Sequence, residues 1–439
     1  MGDKEPGTLD QALEAWAKGD HLAGLRGAVA VLEAHPADPL ALFLSAYLGG
    51  KLGEAAAFSD GLRAAAERAV DLGNLPLAVA IAGFARELEL DASALYDAAA
   101  AAYARDSARI KRQAPPALPT PGPTTKALAS SLDKAAVVAR AAKAVRASAE
   151  HLLTLPGGEA PLPAAPLFSS LDRAALRTFV EIFEPKLFGT NVKIVEEGAP
   201  GGEAFVVARG EVDVSRHALR SSGPVHLARL GSGALVGEMA LLSRAPRTAT
   251  VTTASPVVLL VANKRDLDAA VTKNPELGRE FAVYCRRRML DNLIRTSPIL
   301  HSVNPAERSD LVKRFVIRAF EPGERLITQG RPADGLFLVA SGEVTVVHQE
   351  TKDKTVMARL GPGEVLGEVA LVLRRPANAD VVASHPTVTL LLPRERFLDA
   401  VRAHPGVFVD LYELASRRDE ETSGVERLET ADLDDSVLI

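Results

Sequence analysis

The second half of this 439-residue chain repeats itself, which constrains the fold more than any other feature. Three motifs recur at offsets of 132, 132 and 130 residues, namely 166–171 as 298–303, 206–212 as 338–344, and 237–242 as 367–372. Each copy has the pattern of a short helix, several short strands separated by glycine turns, and further helices. Many short strands with glycine turns predict a closed β-roll. We therefore expect two jelly-roll-like domains with flanking helices, over 167–297 and 298–418.

The N-terminal part, residues 1–110, has the pattern of an α-helical repeat, so the chain is expected to be multidomain α + β. Apolar residues recur at spacings of three and four, and short breaks divide the helices into hairpins of roughly 30 to 37 residues, the size of tetratricopeptide-like repeats. The full signature of that repeat is missing. Up to Arg105 the chain holds 15 acidic and 8 basic residues. Such a surface either docks a protein or is simply solvated.

Two Pro-rich linkers, 111–125 and 155–166, enclose an Ala-rich amphipathic helix predicted over 126–154. Its expected apolar seam consists of Ala135, Val138, Ala142, Val145, Ala149 and Leu152. This narrow seam is suited to packing on another helix. It predicts a possible homodimer, a helix docked on the acidic repeat, or a plain spacer. The acidic residues 419–439 are expected to form a disordered tail that could hold a partner-docking peptide.

Composition excludes several classes of protein. The formal net charge is −5, from 51 Lys and Arg against 56 Asp and Glu, which disfavours a nucleic-acid protein. The single cysteine, Cys285, allows neither an intramolecular disulfide nor a cysteine zinc cluster. We expect a cytoplasmic protein, because the N-terminus lacks the apolar core of a signal peptide and no run of about 18 apolar residues predicts a membrane span.

Residues 237–250 hold the groups that could bind a ligand. Gly237 opens a short apolar helix, so that backbone N–H groups near Met239 and Ala240 are expected to point at one spot and bind an anion. Glu238 can accept a hydrogen bond from a sugar hydroxyl, and Arg247 offers a planar fork to a phosphate. Together these groups suit a ligand with one phosphate beside a ribose hydroxyl. No phosphate-loop, zinc-protease or serine-triad pattern competes with this interpretation.

This stretch resembles the phosphate-binding cassette of cyclic nucleotide-binding domains, in which Gly-Glu-x-Ala-Leu precedes Pro-Arg-x-Ala-Thr. The resemblance covers about residues 166–418. It implies that Glu238 holds the ribose 2′-hydroxyl of cAMP or cGMP and that Arg247 holds the cyclic phosphate. Thr248 is similar to the residue of cGMP-selective members that meets the guanine amino group. No metal is implied.

The second copy departs from this pattern. Gly367 and Glu368 align, but Ala377 occupies the arginine position and Asp380 replaces Thr250. A degenerate site formed by Gly367, Glu368, Ala377 and Asn378 lacks the guanidinium that would bind a phosphate. We expect a structural or partner-facing pseudo-domain.

The layout resembles a regulatory subunit of the cAMP-dependent kinase type, in the version found in some bacteria. It implies a non-enzymatic receptor that couples nucleotide binding to an unknown protein partner through the helical repeat and possibly the tail. No helix-turn-helix, channel or enzyme motif is present. The alternatives are a scaffold whose rolls bind no ligand and a membrane-surface adaptor acting through the basic helix.

Overall fold

The computed structural model describes residues 8–111, 125–155, 161–217, 224–238, 247–297, 303–304, 307, 311, 314–349 and 354–435. The chain divides into two compact units, one of Met1–Leu241 and Ala249–Tyr284, the other of Leu242–Thr248 and Cys285–Ile439. The first unit holds a helical stack and one β-roll, and the second unit holds the other β-roll with the C-terminal helix. A helical region followed by two rolls confirms the predicted fold class. No helix among the described residues has the length and apolar content to cross a membrane.

The helical stack is built from six helices. They are α1 (Thr8–Ala17), α2 (His21–Ala34), α3 (Pro39–Leu52), α4 (Ser59–Asp71), α5 (Leu75–Glu87) and α6 (Ser93–Tyr103). Carboxylate or amide oxygens of Asp20, Asp38 and Asn74 accept hydrogen bonds from first-turn N–H groups and so begin α2, α3 and α5. Consecutive helices pack on one another around aromatic side chains. The helical content is confirmed, while the tetratricopeptide-like character stays a prediction.

The next helix, α7 (Lys134–Leu153), begins eight residues later than expected, because the Asp133 side chain accepts a hydrogen bond from the Ala136 N–H and caps it there. It packs on α2, α3 and α4 of its own chain. The buried face consists of Val137, Ala141, Val145 and Ser148, whereas Ala135 of the predicted seam is exposed. The structure therefore shows a helix docked on the acidic stack. Of the rest of the predicted seam, Val145 is buried and Val138, Ala142, Ala149 and Leu152 are half-buried, so the face that packs on the stack is rotated from the predicted one. The homodimer stays a prediction.

The first roll follows a two-residue pairing of β1 (Ile110–Lys111) with β2 (Leu162–Pro163) and helix α8 (Arg173–Glu181). Its strands are β3 (Glu184–Phe188), β4 (Lys193–Val195), β5 (Glu203–Arg209), β6 (Val212–His217), β7 (Pro224–Leu230), β8 (Leu235–Val236), β9 (Thr250–Thr253) and β10 (Val257–Asn263). They form two four-stranded sheets in the orders β3-β10-β5-β8 and β4-β9-β6-β7. Helices α9 (Lys264–Lys273) and α10 (Pro275–Thr296) follow. Apolar residues of both sheets fill the core.

The helical stack is packed directly on the first roll. Helix α5 lies against β3, β5 and β10, with Gly83 at the point of close approach to Pro185. At the other end, Arg209 pairs with Asp10, and the Glu14 carboxylate accepts a hydrogen bond of 3.0 Å from the Thr190 N–H. Burial raises the pKa of Glu14, but the hydrogen bonds from Thr190 and Lys18 outweigh it and hold the pKa below its usual value. The stack and this roll therefore form one body.

We expect Gly83→Ala to destabilise the first unit by about 1–2 kcal/mol. A Cβ at this position would lie 2.5 Å from Pro185 Cδ, and the rigid ring cannot rotate away. The gain in helix propensity, roughly 1 kcal/mol at most, does not offset this overlap. Denaturant unfolding followed by circular dichroism measures the change. Gly202→Ala is the matched control, because a Cβ there meets no atom within 4 Å. Equal stability of the two variants would show that α5 is not tightly seated.

The second roll repeats the topology of the first. Its strands are β11 (Val316–Phe320), β12 (Arg325–Ile327), β13 (Gly335–Ser341), β14 (Val344–Gln349), β15 (Lys354–Leu360), β16 (Val365–Leu366), β17 (Asp380–Ala383) and β18 (Thr387–Pro393). The sheet orders are β11-β18-β13-β16 and β12-β17-β14-β15. Helix α11 (Glu368–Val372) follows β16, and helices α12 (Arg394–Ala403) and α13 (Pro405–Asp435) follow the last strand. The predicted strand segments 204–207 and 336–339 lie in β5 and β13 and are buried.

The expectation of a disordered tail after Arg418 is wrong as far as Asp435, because α13 continues through these residues. Its first turns are anchored by Val407, Leu411 and Ala415, which are buried. A helix that is already nucleated extends at little cost, and good helix formers such as Glu420, Glu421, Glu426 and Leu428 occur in this part of the chain. Residues 436–439 lie outside the described part of the chain.

Candidate functional site

The two predicted cassettes begin at the same place in their rolls. In the first roll, β8 pairs with β5 through Val236 and Phe205, and Gly237 follows with φ +79°. In the second roll, β16 pairs with β13 in the same way, and Gly367 has φ +81°. Glycine adopts this left-handed conformation without strain, and a Cβ on Gly367 would also lie 2.6 Å from the Gly335 carbonyl oxygen. Both glycines therefore make a turn that a larger residue would disrupt.

The turn in the first roll places Glu238 in a buried position, with 5% of its surface exposed. At the other end of the cassette, Arg247 is half-buried and Thr248 is exposed, shortly before β9. The strands β8 and β9, which flank the cassette along the chain, belong to different sheets of the roll. Met239 and Ala240 lie outside the described residues, so the expected backbone contacts to phosphate stay a prediction.

The interior of the first roll holds side chains rather than a cavity. Eight residues enclose a space too small for a water molecule, namely Ile194, Val195, Phe205, Val207, Val212, Val236, Val251 and Leu259. These side chains come from both sheets and meet in one apolar cluster. A ligand therefore has no room between these eight side chains.

One equivalent position shows how the two rolls differ in chemistry. In the first roll, the Thr250 hydroxyl accepts a hydrogen bond of 3.1 Å from the Glu197 N–H. In the second roll, Asp380 accepts the same bond from the Gln329 N–H at 2.8 Å. Asp380 is 5% exposed, and its other oxygen lies 3.3 Å from the Arg325 guanidinium. A buried carboxylate thus stands where the first roll has a neutral hydroxyl, and it would repel a phosphate.

A side chain of α13 contacts the glutamate of the second cassette. Glu368 is 2% exposed, and its carboxylate accepts a hydrogen bond of 2.6 Å from Arg418 of α13. The same guanidinium donates to the Val365 carbonyl at 2.6 Å and to Glu364 at 3.2 Å. The carboxylate expected to bind a ribose hydroxyl is therefore engaged by a cation. Sequence reasoning missed Arg418, because nothing local relates residues 50 positions apart.

The remaining residues of the degenerate site are held by internal hydrogen bonds. Ala377 is buried, its N–H donates to the Arg331 carbonyl at 2.9 Å, and its carbonyl accepts from the Gly330 N–H at 2.8 Å. The Asn378 carbonyl lies 2.8 Å from the His348 ring Nδ1. Arg375 pairs with Asp419 of α13 at 3.1 Å and so does not replace the missing arginine.

No cluster of three or more potential metal ligands occurs among the described residues. The donors at the two cassettes are a carboxylate, a guanidinium, hydroxyls and backbone groups. Such a set suits an organic anion with hydroxyl groups more than a metal ion.

Comparison with known proteins concerns the two rolls. The family model described as "Cyclic nucleotide-binding domain" matches residues 185–274 and 317–404, which are the two rolls. The chain thus has two segments in tandem that are similar to this domain, and they include both cassettes, 237–250 and 367–380.

Two of the proteins to which the chain is similar are regulatory subunits. The cAMP-dependent protein kinase regulatory subunit of Yarrowia lipolytica is 31% identical over 53% of this chain and 57% of its own length. The type II regulatory subunit of Drosophila melanogaster is 28% identical over 51% of this chain and 56% of its own length. The chain therefore spans little more than half the length of these relatives. A structure of the regulatory domain of Toxoplasma gondii PKA with cAMP is 26% identical, covering 57% of this chain and 92% of that one, with a TM-score of 0.28.

Proposed function

We propose that this protein is a non-enzymatic cyclic nucleotide receptor in which the first domain binds the ligand and the second domain binds none. The observation that carries the proposal is the difference between the two cassettes. The first combines a buried Glu238 after a left-handed glycine with Arg247 and the neutral Thr250. In the second, Ala377 replaces the arginine and Arg418 engages the glutamate.

The proposed ligand is cAMP or cGMP. In the first domain, Arg247 would pair with the cyclic phosphate through two charge-assisted hydrogen bonds, and Glu238 would accept one from the ribose 2′-hydroxyl. Backbone N–H groups of Met239 and Ala240 would add donors to the phosphate. The names of the two curated relatives favour cAMP. Thr248 is exposed, and its hydroxyl would suit the guanine amino group of cGMP.

We infer that the helical stack transmits the signal to a protein partner. Arg105, just after α6, pairs with Glu276 in the first turn of α10 at 2.9 Å. Phe179 of α8 meets Phe281 of α10 edge to face, with ring centroids 6.4 Å apart. A ligand that favours one position of α10 would therefore also act on the stack. The α13 helix, with its acidic end, is a second candidate for contact with the partner.

Calorimetric titration of the full chain with cAMP and with cGMP tests the proposal. We expect saturable binding of one nucleotide per chain, with one of the two ligands clearly preferred. Two nucleotides per chain would contradict the assignment of the second domain as vacant. The alternative function, a scaffold whose domains bind no ligand, predicts no saturable heat with either nucleotide. Competition against a fluorescent nucleotide analogue is an independent check. Intrinsic tryptophan fluorescence is less suitable, because the chain's single Trp lies in the helical stack and not in the first roll.

A further inference from the structure

Helix α7 belongs to a segment of the chain whose two ends, β1 and β2, lie side by side. Strands β1 and β2 pair in parallel, with Ile110 opposite Leu162, and the Leu162 N–H donates to the Arg109 carbonyl at 2.8 Å. The base of the branch is held independently of α7, because Arg109 pairs with Asp71 of α4 at 2.9 Å. The contacts that hold the two ends of this segment together therefore do not depend on the packing of α7.

The surface under α7 is shaped to receive a helix. Val137, Ala141, Val145 and Ser148 are at most 3% exposed and follow the spacing i, i+4, i+8, i+11 of one helix face. Two glycines of the stack make room for this face. A Cβ on Gly53 would lie 2.8 Å from Val138 Cγ1, and a Cβ on Gly61 of α4 would overlap Val145 Cγ1. A helix with larger residues on this face would not fit the groove.

Polar contacts set the register of α7 in the groove. Arg140 donates two hydrogen bonds to the Glu33 carboxylate of α2, at 2.7 and 2.8 Å. The Ser148 hydroxyl donates to the Pro36 carbonyl. The hydrogen bonds from Arg140 to Glu33 also raise the pKa of the guanidinium. Because this ion pair is exposed, it sets the direction and register of α7 more than it adds to the stability of the packing.

The charge of the two parts is complementary over a longer range. Up to Arg105 the stack holds 15 acidic against 8 basic residues, and from Asp106 to Pro166 the chain holds 8 basic against 4 acidic residues. The side chains of Lys134, Lys143 and Arg146 are exposed on the outer face of α7. A basic helix would be attracted to this stack before it makes any specific contact.

We propose that the groove formed by α2, α3 and α4 is a docking site for an amphipathic helix of a partner protein, and that α7 is a tethered occupant that competes for it. The partner helix has small or β-branched residues at i, i+4, i+8 and i+11, with an arginine at i+3 that reaches Glu33. This proposal rests on the proposed role of the stack in binding a partner. It does not involve nucleotide, so its failure leaves the assignment of the first domain untouched.

The experiment releases α7 from the folded full chain. Recognition sites for a sequence-specific protease are inserted within 112–124 and within 156–160, and both are cut after purification. A labelled synthetic peptide of residues 130–155 is then titrated against the cut and the uncut protein and followed by fluorescence anisotropy. We expect saturable binding to the cut protein and at least tenfold weaker binding to the uncut protein, because the tether holds α7 at an effective concentration near the millimolar range.

Two variant peptides serve as matched controls. Val145→Asp should abolish binding, since it places a charge at the Gly61 notch, whereas Lys143→Ala on the outer face should bind as the parent does. The proposal is overturned if the α7 segment leaves the cut protein and the peptide still does not bind. It is also overturned if the α7 segment does not exchange with the peptide. Loss of the stack's helical signal after cutting would also overturn it, because α7 would then be a core element. If the uncut chain forms a concentration-dependent dimer and the free peptide dissociates it, the occupant of the groove is a second copy of this chain and not a partner.

Discussion

Replacing Arg247 with alanine is expected to lower the affinity of the full chain for its nucleotide by at least about 100-fold, while the fold is retained. The guanidinium of Arg247 is the group that we propose binds the phosphate. Each charge-assisted hydrogen bond lost is worth about 1.5–3 kcal/mol, and 1.4 kcal/mol corresponds to a tenfold change in affinity. Calorimetry with cAMP and cGMP measures the loss, and circular dichroism confirms that the variant folds.

Two further variants make this result specific. Arg247→Lys keeps the charge but not the planar fork, so we expect an affinity between those of the wild type and the alanine variant. Arg375→Ala is the matched control in the second domain, where the guanidinium pairs with Asp419, and it should leave nucleotide binding unchanged. Wild-type affinity in Arg247→Ala would place the nucleotide elsewhere, and the first domain would no longer be the proposed sensor.

The largest expected effect on stability comes from Arg418→Ala, which should lower the free energy of unfolding of the second unit by about 3 kcal/mol. Arg418 donates to Glu368, Glu364 and the Val365 carbonyl, and the Glu368 side chain is only 3% exposed. Without the guanidinium, a buried carboxylate stays uncompensated in a medium that solvates charge poorly. Chemical denaturation of the full chain, followed by a probe in the second unit, measures the change.

The neighbouring Arg417→Ala provides the control, because Arg417 is exposed, and its effect should stay within about 0.5 kcal/mol. Glu368→Gln removes the charge that Arg418 compensates. In combination with Arg418→Ala it should therefore recover part of the lost stability, and a double-mutant cycle gives the coupling between the two residues. If Arg418→Ala were as stable as Arg417→Ala, the contact with Glu368 would contribute nothing, and the description of the second cassette as internally closed would fail.

Much of the architecture could be predicted from local pattern. The spacing of apolar residues over 8–103 indicated helices, and the recurrence of the motifs of 166–242 within 298–372 indicated two similar rolls. Such patterns are informative because helix and strand periods depend on residues within one or two turns of each other. The departure of the second cassette was also visible in the sequence, since Ala377 has no side chain that could bind a phosphate.

The sequence by itself determined the helical pattern of 8–103, where the repeat lies, and which cassette retains its arginine. Only the tertiary structure decided what covers these elements. It seats α7 on the stack through Val137 and Ala141, it brings Arg418 to Glu368, and it carries α13 past the acidic residues after Arg418. These features depend on contacts between residues far apart in the chain, and on the burial that makes such contacts favourable. No local periodicity or composition records which distant partner a side chain will meet.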